Sequence, residues 1–471
     1  MHKNKTNLRS VNENPCHMCM PMGGIIPFKG VERAMVILHG SQGCATYMRR
    51  HIAEHFNEPI DVASSSLNEK GTVYGGEKNL KQGLDNLIKL YDPSLVGVLT
   101  TCLAETIGED VDRITANYLN EKKVDGLAVV TAPTPGYGGS HSEGYWLSAA
   151  RIVKALAGNS PKHARVNVII PDISPADIRE IKRILRELKV EYTLFPDFSD
   201  NLDRPYMKTY SKVPATGTKI SDIQSMGGAA ATIELGMTVE DGVSPGGYLE
   251  TEFGVPLYRL PIPMGLKSTD LFIRTLQEIT GNPVPQSLEG ERGRLMDCMI
   301  DSHKYNFSGR SVIFGEPELV LAVTGVCMEN GIYPAVVATG SRNKKLAALL
   351  EPNLAEAAGE CQVLLGADFA QIRELVGGSK VNIAIGHSDG RCLTEKEGIP
   401  LVRIGFPIHD RVGGQRLMSV GYTGTAMFLD RITNTLLENK HKNYRGSVYR
   451  QFYVLDGNQD AHGNYMRDEV R

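Results

Sequence analysis

Several things are scarce in this sequence, and each scarcity closes off a class of function. Aromatics make up 7% of the 471 residues, with a single tryptophan. Net charge is only −3 at pH 7, so no electrostatic case exists for nucleic acid as a partner. No apolar run approaches the roughly 18 residues that span a bilayer, which argues against a membrane partner. The opening stretch MHKNKTNLRSVNENP has charge but no apolar segment, unlike a secretory signal, and the expected location is cytoplasmic. Eight cysteines are too few for a disulfide framework. In a reducing compartment the cysteines that matter are ligands or nucleophiles, and the others are packing. No G-x-G-x-x-G follows a strand and no G-x-x-x-x-G-K-[ST] occurs, so the chain shows no nucleotide site of its own.

What is present reads as an ordinary soluble globular protein, 41% hydrophobic and 22% charged. Its length exceeds one hydrophobic core and predicts two to three domains. Short apolar runs alternate with amphipathic segments. Strands are expected at 33–40, 95–102, 125–136, 163–174 and 191–197, with helices at 43–57 and 175–189. Ser174 and Pro175 suit the start of the second helix, and Ile178, Ile181, Ile184, Leu185 and Leu188 recur at helical spacing. The last third repeats the pattern, with strands at 310–315, 333–340, 381–390 and 400–407 and a helix at 317–331. Such alternation implies an α/β fold of doubly wound parallel sheets. Turn-rich residues near 160 and a fresh strand–helix–strand pattern near 305 divide the chain into 1–160, 161–305 and 306–471, the last with a C-terminal tail. Residues 200–250, rich in Gly and Ser, are expected to be an irregular connecting excursion.

The stretch NPCHMCMPMGG holds a C-x-x-C pair, Cys16 and Cys19. Cys44, in HGSQGC, follows one expected strand, and Cys102 ends another. Strand-to-helix turns are where α/β proteins place ligands, and thiolates gain there from helix N-termini. Soft thiolates suit iron–sulfur clusters or zinc; burial as small hydrophobes is the competing reading. Gly40 and Gly43 would let backbone approach a bulky inorganic group. Cys298, Cys327, Cys361 and Cys392 lie in apolar or loop contexts that read as core or incidental. Glu105 and Asp110 read better as solvated carboxylates at a helix start than as an acid–base pair.

Four pieces taken together, NPCHMCMPMGG, VILHGSQGC, DVASSSLNEKGTVYGG and TTCLAETIGEDVDRI, resemble the nitrogenase component 1 superfamily, and its β-type subunits in particular. The likeness returns in LPIPMGLKSTDLFIRTLQEITGNPVP and GIPLVRIGFPIHDRVGG. It implies three Rossmann-like domains in a homologous α2β2 assembly. It also implies an iron–sulfur cluster at the α–β boundary, held by three cysteines from each side, either an eight-iron P-cluster type or a four-iron cluster. A separate ATP-hydrolysing iron–sulfur protein would dock over it and donate electrons, which accounts for the missing nucleotide motif. The equivalents of the cluster ligands are Cys19, Cys44 and Cys102, at intervals of 25 and 58 residues that match the β-type pattern. Ser41 would lie close to the cluster, and Tyr74 falls on the reductase-docking face. The alternatives are a turn hydroxyl for Ser41 and a buried aromatic for Tyr74. His39 is a candidate supporting group, with a satisfied strand-end histidine as the equal alternative.

Departures from the family pattern are visible. Met20 stands where dinitrogen-reducing β chains often carry Gln, and Gly136 in TPGY replaces a serine that can ligate an oxidised P-cluster. The N-terminus lacks a long extension, and Cys16 is extra, expected as a spare thiol beside the cluster. These features resemble a nitrogenase-like branch, such as the methylthio-alkane reductases that cleave carbon–sulfur bonds. A β-type scaffold for iron–molybdenum cofactor maturation and a β subunit of a true nitrogenase are the alternatives. A structural zinc protein is disfavoured, because no second Cys or His pair completes a tetrahedral site.

Overall fold

The computed structural model describes residues 16–122, 126–209, 211–355 and 361–453. Residues 1–15 and the expected C-terminal tail beyond 453 lie outside the described residues. Three parallel sheets follow one another along the chain.

The first contains β1 (Ala34–His39), β2 (Ala63–Ser64), β3 (Leu95–Thr100) and β4 (Ala128–Ala132), in the order β2-β1-β3-β4. Every residue of β1 and β3 is buried, as expected of parallel strands covered by helices on both faces. The second contains β5 (Val166–Ile169), β6 (Tyr192–Phe195), β7 (Ala231–Glu234) and β8 (Leu257–Arg259), in the order β6-β5-β7-β8. The third contains β9 (Arg310–Phe314), β10 (Tyr333–Thr339), β11 (Gln362–Leu365), β12 (Ile383–Gly386) and β13 (Leu401–Arg403), in the order β11-β10-β9-β12-β13. In each sheet the winding reverses once, and the crevice beyond the strand ends at that reversal is where such folds bind ligands.

The helix expected after β5 runs Pro175–Glu187. Ser174 accepts from the Asp177 N–H, and Ile178, Ile181, Ile184 and Leu185 face the core. Asp177 in turn accepts from the Ser419 and Val420 N–H groups, tying this helix to the entry of the long helix Gly421–Tyr453. No described helix is long and apolar enough to cross a membrane.

One reading of the sequence needs correction. Residues 200–250 are not merely a connection, since β7 lies inside the second sheet between β5 and β8. Glu234 interrupts its apolar pattern, yet that carboxylate is fully buried and accepts from Ser244 Oγ and the Gly246 N–H. The helix Met20–Lys29 is not among the elements expected from the sequence, since the interior Pro27 and the paired glycines of this stretch argue against one. It forms because it packs backbone to backbone on the helix His141–Leu156. A Cβ on Gly23 would fall 1.8 Å from the His141 carbonyl oxygen, and one on Gly144 1.9 Å from that of Met20. Packing closeness outweighs propensity here.

Candidate metal centre

β1 and β3 flank the reversal point of the first sheet, and both lead into cysteines. β1 ends at His39, and Ser41 caps the helix Gln42–Phe56, with Cys44 in its first turn. β3 ends at Thr100, and Thr101 caps the short helix Cys102–Thr106. Cys19 arrives from elsewhere, as the cap of helix Met20–Lys29, bridged antiparallel to Ser140. All three expected ligands thus stand at helix starts, where backbone N–H groups favour a thiolate.

Gly136, in the turn after β4, shows how close two of them come. A Cβ at this position would lie 2.9 Å from Cys19 Sγ and 3.3 Å from Cys102 Sγ. Its N–H donates to Cys102 Sγ at 3.1 Å. Cys44 is near enough to act on Cys19 electrostatically, and Ser41 Oγ lies 3.8 Å from Cys44 Sγ. Burial, then the neighbouring Cys102 and Cys44, push the Cys19 thiol up to about 11. Cys19 therefore stays protonated at neutral pH unless a bound cation offsets the charge. Cys102 is exposed while Cys19 and Cys44 are half-buried, so none of the three thiols is sealed in the core.

Among the described residues no three His, Cys, Asp or Glu side chains could hold one metal ion. A lone zinc ion finds no tetrahedral set here. Three neighbouring thiols with no acidic or imidazole ligand among them fit part of the shell of a larger sulfur-bridged cluster. The residues present fit such a group.

Other expectations meet mixed outcomes. Tyr74 is 82% exposed beside an exposed Val73, so the buried-aromatic alternative fails. Gly40 is required for packing rather than for ligand approach, because a Cβ would collide with Thr101 Oγ1. Asp110 is an exposed cap that accepts from the Arg113 N–H, but Glu105 is half-buried and accepts from Thr100 Oγ1 at 2.6 Å. Of the incidental cysteines, Cys327 is buried and Cys392 exposed.

Cys16 does not join these three thiols. It is fully buried against Val312, Phe314, Val336 and Ala338 of the third sheet, with Sγ 3.9 Å from His387 Nε2. Its N–H donates to Ala367 O, and its carbonyl accepts from the Gly340 N–H. Residues 16–19 thus form a strap from the third sheet to the helix His141–Leu156, where the His141 N–H donates to Met18 O. The family resemblance pointed to Gly136 as a cluster-side position, whereas sequence reasoning missed its N–H bond to Cys102 Sγ and Gly340 as the strap's seat. Only their chain-distant contacts mark them.

The sequence pattern described as "Nitrogenase component 1 type Oxidoreductase" matches residues 19–437. The chain belongs to the nitrogenase component 1 family. Within that family it is 36% identical to the nitrogenase molybdenum-iron protein beta chain of Clostridium pasteurianum, over 91% of this chain and 94% of that one. It is 33% identical to the vanadium-iron protein beta chain of Trichormus variabilis, over 91% and 95%. Its structure is similar to that of nitrogenase Cp1 at pH 6.5, with a TM-score of 0.88 and 35% identity over 92% of this chain and 95% of that one. The family likeness thus spans all three sheets, and the α/β architecture read from the sequence is the family's own.

Proposed function

We propose that this chain is the β-type subunit of an α2β2 nitrogenase-like component 1 reductase. Cys19, Cys44 and Cys102 ligate an iron–sulfur cluster shared with a homologous α-type chain, with Ser41 beside it. The observation that carries the reading is the convergence of Cys19 and Cys102 on Gly136, with Cys44 close enough to raise the Cys19 thiol. A bound cluster would supply low-potential electron storage. This chain's own part is to hold three thiolates at helix starts, to donate one backbone N–H to Cys102 Sγ, and to leave Cys102 exposed for the second subunit.

The exposed Tyr74 belongs to the surface that receives an ATP-hydrolysing iron–sulfur protein as electron donor. The substrate-reducing metallocofactor belongs to the α-type chain. Gly136 and Met20, in place of the nitrogenase serine and glutamine, favour a nitrogenase-like reductase, with carbon–sulfur bond reduction as the activity to assay first.

The experiment is to purify the native complex without oxygen, count iron per αβ unit and assay ATP-dependent turnover with its donor. An eight-iron cluster, beyond the metal of the α-chain cofactor, together with turnover of methylthio-alkanes supports the reading. Turnover of dinitrogen makes the chain part of a true nitrogenase. A four-iron cluster with transfer of a bound cofactor to another protein makes it a maturation scaffold, and absence of any iron–sulfur absorbance overturns all three.

A further inference from the structure

Beneath the exposed Tyr74 lies a buried contact between two charged residue types that the cluster itself does not use. His39 is fully buried at the end of β1. Its Nδ1 lies 3.0 Å from Ser65 Oγ, and its Nε2, which has no hydrogen-bond partner, lies 3.7 Å from Glu109 Oε2. The other oxygen of that carboxylate accepts from the Gly76 N–H. Gly75 and Gly76 follow Tyr74 directly. Gly75 has φ +92°, and a Cβ on Gly76 would press on His39 Cε1 at 2.9 Å. The outer side of this turn is exposed Val73 and Tyr74, and its inner side rests on Glu109 and His39.

Both supports reach the cysteine-bearing helices by short covalent routes. Glu109 comes soon after the Cys102 helix and its N–H donates to Ala104 O within it. The His39 carbonyl accepts from the Thr101 N–H at 3.1 Å, fixing the cap of that helix, and two residues later Ser41 caps the helix that carries Cys44. Coupling between sites needs a contiguous set of packed and hydrogen-bonded groups, and turn, carboxylate, imidazole and helix cap form one.

We propose that Glu109 and His39 are positioning residues that convey pressure on the Tyr74 turn, when an electron-donating iron–sulfur protein docks there, to the Cys102 helix. The contact works mechanically, because the turn cannot move inward without displacing the Glu109 carboxylate. This rests on the cluster and donor assignments above.

The test uses the native complex carrying Glu109→Ala, and Glu109→Gln, which keeps an acceptor for the Gly76 N–H. In the wild type, adding the donor protein shifts the cluster's reduction potential. In Glu109→Ala the iron content and resting absorbance stay at the wild-type level and the donor-induced shift disappears. Its kcat falls about tenfold, as is usual when a residue supporting a metal ligand is lost, while KM for the donor is unchanged; Glu109→Gln restores much of both. A shift that persists in Glu109→Ala, a wild type with no shift, or loss of iron in Glu109→Ala overturns the proposal. A wild-type complex with no cluster at all is read before any variant, and it removes the underlying assignment instead.

Discussion

Gly340→Ala isolates the strap that delivers Cys19. The added methyl would lie 2.3 Å from the Cys16 carbonyl oxygen and 2.5 Å from its carbon. These are backbone atoms, so no side-chain rotation relieves the clash and residues 16–19 must lift. Lifting breaks the Gly340 N–H to Cys16 O bond at 3.1 Å and the Cys16 N–H to Ala367 O bond at 3.2 Å. Each contributes about 1 kcal/mol net, and withdrawing the Cys16 side chain from its apolar seat costs roughly 1 kcal/mol more. Together, about 3 kcal/mol corresponds to an open strap on the order of a hundredfold more populated. The assay is iodoacetamide labelling of the iron-stripped complex, followed by mass spectrometry, with Cys102 as internal reference. Cys19 labelling should accelerate strongly and Cys102 labelling should not. Equal acceleration of both thiols, or an unchanged Cys19 rate, refutes the strap as the element that seats this ligand.

Three further outcomes are expected. Cys19→Ala, Cys44→Ala and Cys102→Ala each abolish cluster absorbance in the purified complex, whereas Cys16→Ala retains it; equal loss for Cys16→Ala contradicts the three-ligand set. Tyr74→Ala leaves the thermal midpoint within the change expected of an exposed residue, about 0.5 kcal/mol, but raises KM for the electron donor; an unchanged KM removes Tyr74 from the docking surface. Burial pushes the Glu318 carboxyl up to about 7, even though Thr238 donates to it. Between the ordinary carboxylate range and pH 7 the folded chain keeps a proton that the unfolded chain has released. Stability therefore falls as pH rises through that window, by on the order of 3 kcal/mol. Glu318→Gln cannot lose the proton, so its thermal midpoint should gain on the wild type between pH 5 and pH 8. A constant difference across that range sinks the argument.

Local chemistry made much of this protein readable from its residues alone. Alternating apolar runs and amphipathic segments depend on neighbours in the chain, so β1, β3, β5, β9, β10 and the helix Pro175–Glu187 were legible. The same holds for the placement of Cys44 and Cys102 in strand-to-helix turns, because a strand positions the turn that follows it. β7 and the helix Met20–Lys29 were not legible. A carboxylate interrupts the apolar pattern of β7, an interior proline and paired glycines oppose the helix, and partners far along the chain stabilise both. Ser244 and Gly246 hold a buried Glu234, and His141 and Gly144 accept a helix without side chains in the way. The C-x-x-C spacing placed Cys16 as a spare thiol beside the cluster, but the fold sends the two side chains to different places, Cys16 into the core of the third sheet and Cys19 toward Cys102. Sequence proximity places two residues near each other without settling which way each side chain faces. That direction comes from long-range packing, which also brings Gly136, Gly340 and Glu109 to their partners.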